Sequence, residues 1–271
     1  MKKPAPKENN TQASKPKKRN IAIGRYIIPI ATALVVVIVS AAAITLRNRT
    51  STTPQNVAAQ PSPTVLPPNI IPLPSPDYRS NNSIEAVLHS RRTKREIKPD
   101  QLSLKQLGQM LWAAQGVTTD WGGRTSPSAK STYPLTIYFV VNNVDKLENG
   151  VYQYIPGDRV PAHQVTPIKL ADFKDQIFKI TNDYSLKEPP VMAIVAGNMA
   201  KMADAYGGVP HTKEVYLEAG HASENMYLQA ESLKLGMVVI STFDAAKIRD
   251  LLSIPVKDEL IYLIPIGYPV E

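Results

Sequence analysis

The sequence predicts an α+β domain preceded by a basic tail, an apolar stretch and a proline-rich spacer. Two observations carry the fold class. From about residue 83, segments with helical spacing of apolar residues are interspersed with short runs rich in Val and Ile. They do not follow the strand–helix–strand rhythm of a doubly wound sheet. One candidate helix, Tyr216–Leu235, is longer than the others and rich in small residues.

The elements follow in order. Ile21 to Leu46 carries one charge, Arg25, and the 21 residues from Tyr26 to Leu46 carry none. As a helix this suffices to cross a hydrocarbon core of about 30 Å. Pro29 lies near its start, where a helix tolerates proline. Basic residues cluster before it, which predicts residues 1–20 as a cytoplasmic tail, 21–46 as an anchor, and the bulk of the chain outside the membrane. A cleaved signal peptide is the rival reading, since Ser40-Ala41-Ala42-Ala43 offers small residues. Residues 47–82 hold many prolines among Ser, Thr, Asn and Gln and read as an extended linker.

The domain is expected over 83–271. Ile84–His89 reads as a short helix. Ser103-Leu104-Lys105-Gln106 is a capping box opening a helix that Gly116 stops. Leu135–Val141 and Val191–Ala196 read as strands, and Asp172–Ile180 as a helix. Val238–Ile240 reads as a strand, Asp244–Leu252 as a helix and Leu260–Ile266 as the last strand. Val144–Gln164 and Lys201–Glu214 read as loops.

The net charge of +8 is unevenly spread. Residues 1–49 carry +9 and residues 80–271 carry −1, so the folded part has no basic footprint for nucleic acid. The absence of cysteine excludes disulfides, thiolate metal sites and cysteine nucleophiles.

Three constellations are candidates for chemistry. Arg91, Arg92, Lys94 and Arg95 flank the hydroxyl of Thr93, and Arg grips phosphate by its fork. Arg124-Thr125-Ser126-Pro127-Ser128-Ala129, ahead of Tyr133-Pro134-Leu135, leaves backbone groups open to a flat ring. Glu218-Ala219-Gly220-His221-Ala222 opens the long helix. Its Glu218/His221 pair at i, i+3 resembles half of a di-iron carboxylate motif, but no second pair exists and no metal is expected. His221 reads instead as a packing and hydrogen-bonding residue. No P-loop, G-x-G-x-x-G or G-x-S-x-G motif is present.

Taken in order, these motifs resemble the nitroreductase family of FMN-dependent oxidoreductases. Leu235-Gly236-Met237-Val238-Val239-Ile240-Ser241-Thr242-Phe243-Asp244 and Ile264-Pro265-Ile266-Gly267-Tyr268-Pro269 agree with it. The resemblance spans about residues 83–271 and is nearest the azoline (thiazoline/oxazoline) dehydrogenase subgroup. It implies an α+β fold with a mixed central sheet flanked by helices, a homodimer, FMN in the subunit interface and a small-molecule substrate. By the same resemblance, Arg91, Arg92, Thr93 and Arg95 bind the FMN phosphate and ribityl chain. Pro127, Ser128 and Ala129 line the isoalloxazine ring, and Ser241 and Thr242 bring backbone N–H groups to its N5 edge.

The pattern departs in three places. The chain ends at Glu271, where many relatives continue with further basic residues, so FMN affinity is expected to rest on the early Arg cluster. Ala205-Tyr206-Gly207 stands where the subgroup shows Lys-Tyr-Gly, which argues against azoline oxidation and leaves Tyr206 as the candidate general acid. An extracytoplasmic domain argues against free NAD(P)H as donor. The alternative function is a flavin-free member of this fold acting as a surface binding or scaffold module.

Overall fold

The computed structural model describes residues 70–157 and 163–270, in which one seven-stranded sheet is covered by helices on both faces. Its order is β1-β4-β3-β2-β5-β7-β6. The strands are β1 (Ile71–Pro72), β2 (Leu135–Val141), β3 (Gly150–Ile155), β4 (Gln164–Leu170), β5 (Val191–Gly197), β6 (Gly236–Met237) and β7 (Glu259–Gly267). The helices are α1 (Ile84–Ser90), α2 (Leu104–Gln115), α3 (Lys174–Thr181), α4 (Met199–Ala205), α5 (Thr212–Ser232) and α6 (Ala245–Leu252).

Burial on both faces explains the unbroken apolar runs of β2 and β5. Ile137, Phe139 and Val141 of β2, with Val191, Ala193 and Val195 of β5, pack under α2 and α5. Tyr138 and Val140, with Met192, Ile194 and Ala196, face α3 and α6 instead. Period-2 alternation thus sends neighbours into two cores, both apolar. Tyr138 carries the one hydroxyl into the second core, where it donates to Asp258 Oδ2 at 2.5 Å.

Every strand pairing is antiparallel, which corrects the expected mixed sheet. Connectivity explains two of these pairings: β2, β3 and β4 form a meander, and antiparallel neighbours are the arrangement that short connections allow. Among the described residues the one parallel pairing is the isolated bridge Leu102–Val144.

The helix ends follow their chemistry. The Ser83 hydroxyl accepts from Ala86 N at 3.2 Å, and the Ser103–Gln106 capping box is present in both directions. Gly116 does stop α2, but with extended backbone rather than a left-handed cap. Glycine is needed there because a Cβ would overlap the Trp112 indole.

Four expectations change. The loop expected over 144–164 contains β3, and β4 begins at Gln164. Most of α4 and the start of α5 lie in the loop expected over 201–214. The strand expected at Val238–Ile240 is the shorter β6 followed by an isolated Ile240–Leu263 bridge. It breaks because Val239 N donates to the Tyr227 hydroxyl instead of to a strand.

Fourth, the segment from residue 70 to 82, read as the end of the linker, belongs to the folded unit. Ile71 and Pro72 pair with Val165 and Gln164, and Leu73 N donates to His163 O at 3.0 Å. Further along, Asp77 N donates to Gln109 Oε1 at 2.8 Å. The expected tail, anchor and residues 47–69 of the linker lie outside the described residues. Among the described residues no helix is long and apolar enough to cross a membrane.

Candidate functional site

α5 is the spine on which the three motif regions meet. It has no side-chain N-cap, and packing holds it: Val215, Ala219, Ala222 and Met226 are fully buried against the sheet. Its other faces gather the polar groups.

The basic segment leaves α1 with Arg91 as the C-cap residue. Arg91 Nε lies 3.7 Å from Glu224 Oε1, and its guanidinium sits 5.1 Å from the centre of the Tyr227 ring. Arg92 folds back, donating to the carbonyls of His89 and Arg91 at 2.8 Å each. Thr93 Oγ1 is 3.4 Å from the Tyr227 hydroxyl. Backbone bonds fix the segment against the sheet edge, Lys94 N to Met237 O and Lys98 N to Tyr268 O. Arg92, Thr93, Lys94 and Arg95 are exposed, and among the described residues no carboxylate pairs with Arg92, Lys94 or Arg95. Unpaired cations on a fixed backbone suit an anionic oxygen cluster.

Tyr227 is the residue that sequence reasoning missed. Its hydroxyl accepts from Val239 N at 3.1 Å and touches Thr93, so one side chain joins the basic cluster to the segment ending in Ser241 and Thr242. Those two residues are exposed, between the Ile240–Leu263 bridge and the Asp244 N-cap of α6. Nothing local in the sequence signals this role, because the partners are far apart along the chain.

The Pro127–Ala129 loop docks on the next position of α5. Asn225 Nδ2 donates to Thr125 O and to Ser126 Oγ, both at 3.1 Å, and Ser126 Oγ donates to Ala114 O at 2.8 Å. Lys130, Ser131 and Tyr133 take left-handed backbone angles (φ 51, 52 and 48°), unusual for side-chain-bearing residues. Lysines brace the loop: Lys130 Nζ donates to Ala205 O and Lys201 Nζ to Tyr133 O, each at 2.9 Å. Burial lowers the Lys201 pKa, and Arg124 adds to that. Burial also lowers the Arg124 pKa, against the opposing pull of Glu218.

Tyr206 sits beside this loop. Lys130 Nζ lies 3.9 Å from the centre of its ring, and the His211 ring stacks on Tyr206 at 3.7 Å between centroids. His211 Nδ1 is 3.3 Å from Glu214. The Glu218/His221 pair does not converge: Glu218 is buried and His221 exposed. His221 is therefore not the packing residue expected.

A groove of about 1010 Å³ runs between residues 77–84, α2 and α5, lined by Tyr78, Gln106, Trp112, Thr125, Asn225 and Leu228 among others. It reaches the docking point of the loop. The basic cluster and the Pro127–Ala129 loop approach α5 at adjacent positions, Glu224 and Asn225.

The fold and the sequence match together define a nitroreductase-family oxidoreductase. Residues 88–268 match the nitroreductase family, and the chain belongs to it. It is 36% identical over 196 residues to a nitroreductase-type protein of Methanocaldococcus jannaschii, covering 69% of this chain and 92% of that one. A solved nitroreductase-type structure from Ralstonia eutropha superposes with a TM-score of 0.64 at 27% identity, covering 75% of this chain and 90% of that chain. One from Anabaena variabilis shares the fold at a TM-score of 0.59 and 22% identity, over 69% of this chain and 38% of that chain.

Proposed function

We propose that the protein is a membrane-anchored FMN-dependent oxidoreductase passing hydride or electron pairs to a small-molecule acceptor. The observation that carries this reading is the Thr93–Tyr227–Val239 connection. It joins a basic cluster in which, among the described residues, Arg92, Lys94 and Arg95 have no carboxylate partner, suited to a phosphate, to the exposed Ser241–Thr242 backbone, suited to the edge of a flat ring. FMN has a phosphate at one end and a ring at the other, and when bound it supplies the redox chemistry at its N5. Arg91, Arg92, Thr93 and Arg95 would hold the phosphate and ribityl chain. Pro127, Ser128 and Ala129 would line the ring, and Ser241 and Thr242 would meet its N5 edge. Tyr206 is the proposed proton donor toward the acceptor.

Two copies are proposed to complete the site. Leu217, Gly220 and His221 on α5 are exposed, as are Ile84 and Leu88 on α1, and a Cβ at Gly220 would meet nothing within 4 Å. The open Gly220, beside the exposed Leu217, lets a second helix approach closely. The anchor is proposed at residues 21–46, with the domain on the extracytoplasmic side.

Purified full-length protein should carry a flavin absorbance band through gel filtration. The Arg91→Ala, Arg95→Ala double variant should lose it while keeping its fold by circular dichroism. A folded double variant that retains full flavin would overturn the phosphate assignment. Folded wild-type protein that never takes up FMN would favour the binding-module alternative.

A further inference from the structure

Tyr206 is held by its ring and not by its hydroxyl. Lys130 Nζ lies 3.9 Å from the ring centre and the His211 imidazole stacks on the ring, but among the described residues no hydrogen bond reaches the phenol oxygen. His211 is in turn tied to Glu214, with Nδ1 3.3 Å from Oε2. A phenol can donate one hydrogen bond and also accept. Gripped through its ring, Tyr206 keeps both capacities for a ligand.

The grip strains the loop. Lys130 takes left-handed backbone angles (φ 51°, ψ 25°), a conformation that favours glycine, and Ser131 and Tyr133 beside it are left-handed as well. Cross-bracing to α4 holds this geometry. Lys130 Nζ donates to the carbonyl of Ala205, the last residue of α4, and Lys201 Nζ, from within α4, donates back to Tyr133 O. Arg124 fixes Tyr133 further: its N donates to the Tyr133 hydroxyl at 3.3 Å, and its guanidinium lies 4.6 Å from that ring centre. A solvated surface lysine requires none of this. The contacts of Lys130 converge on the end of α4, where Tyr206 is the C-cap residue.

We propose that Lys130 is a positioning residue for Tyr206: together with His211 it clamps the phenol ring and holds the free hydroxyl toward an oxygen of the acceptor. This rests on the reading of Tyr206 as proton donor in a flavin oxidoreductase. A quinone that becomes a hydroquinone takes two electrons and two protons. A hydride supplies both electrons and one proton, and the Tyr206 hydroxyl supplies the other, which it regains from water. The plainer role for Lys130 is to cap α4, since a lysine can satisfy the last carbonyls of a helix. A cap contributes stability wherever the Tyr206 hydroxyl points, so the two roles separate by experiment.

The test uses full-length protein and the variants Lys130→Gly, Lys130→Arg, Tyr206→Phe and Tyr206→Phe with Lys130→Gly. Glycine relieves the left-handed strain and so offsets the lost bond to Ala205 O, and Lys130→Gly should fold with a Tm close to wild type. The first readout needs no flavin. With histidine labelled at Cε1, NMR shows the His211 signal, identified by its loss in His211→Gln and shifted upfield by the Tyr206 ring. It should move downfield in Lys130→Gly and return in Lys130→Arg, because a guanidinium also packs on aromatic faces. The second readout is anaerobic stopped-flow oxidation of photoreduced, FMN-loaded protein by menadione. At saturating menadione Tyr206→Phe should lose about a hundredfold in rate, the low end for a general acid. Lys130→Gly should lose roughly tenfold by misplacing the donor, with the half-saturating concentration unchanged, and Lys130→Arg should recover most of it. Because Lys130 acts through Tyr206, Lys130→Gly should have no further effect in the Tyr206→Phe background.

A wild-type His211 signal in Lys130→Gly would overturn the clamp, as would a loss of rate that persists in the Tyr206→Phe background. A wild-type rate in Lys130→Gly or in Tyr206→Phe would overturn the part assigned to them in proton delivery. Folded protein that takes up no FMN would instead overturn the flavin reading, and the His211 signal would then decide the clamp by itself.

Discussion

Replacing Tyr227 with Phe removes one oxygen and tests the joint on which the functional reading stands. The hydroxyl accepts from Val239 N at 3.1 Å, a bond of ordinary length, and touches Thr93 Oγ1 at a long 3.4 Å. A neutral bond contributes about 1 kcal/mol, and a partly buried N–H left without a partner costs roughly 1–3 kcal/mol. Val239 is half-buried, so water can reach it and the lower end applies. The Thr93 contact is too long to add much. The sum is about 1–2 kcal/mol, which for a domain of this size lowers Tm by roughly 2–8 °C. The ring remains, so the contact with Arg91 is retained. Flavin affinity should fall by about tenfold, equivalent to ~1.4 kcal/mol, because the phosphate cluster and the Ser241–Thr242 segment lose their common fixed point. Differential scanning fluorimetry with and without FMN reads both effects. A variant that loses stability but binds FMN as tightly as wild type would refute the joint, and leave Tyr227 as a packing residue.

Other perturbations give separate checks. Burial lowers the His163 pKa, against the opposing bond to Pro74 O. Below a pH of about 6.5 the unfolded chain binds the extra proton more readily than the folded one, so stability should decline from there toward the depressed folded value. His163→Phe should remove that decline, read as the difference between the two chemical-denaturation curves across pH; an unchanged difference would exclude His163 as its source. Tyr138→Phe leaves Asp258, 3% exposed, without its hydroxyl partner. A loss of about 1–3 kcal/mol in urea unfolding is expected, since a buried oxygen loses its hydrogen-bond donor. Gly220→Leu should leave Tm near the wild-type value, because the position is open, but shift sedimentation toward the monomer. A dimer that persists in this variant would place the interface elsewhere.

The extent to which the sequence was legible follows the range of the interactions. Leu135–Val141 is a strand with the boundaries expected, because an apolar run between turn residues is a local signal. The Ser103 capping box is local in the same sense. β4 escaped because Pro167 and the polar residues around it demote a strand, and its burial is partial. Val238–Ile240 misled because its β-branched residues fit a ladder, while a tyrosine hydroxyl distant in sequence takes the Val239 N–H. Ile71–Pro72 was lost in a proline-rich stretch although Leu73 beside it is 8% exposed. The basic cluster was visible because it is contiguous. Tyr227, Asn225 and the Glu218–Gln115–Arg124 arrangement were not, since each is defined by partners brought together by folding.

The strand order also determines how the domain would respond to tension. Force arriving through the backbone at Ile70 loads β1, at one margin of the sheet, where the pairs to β4 and the 2.8 Å His163–Pro74 bond would part first. Lys94 is fastened at the opposite margin, beside β6, with five strands between. The first ruptures therefore act as a fuse: the chain can pay out slack at its entry point while the cations keep their register with Tyr227.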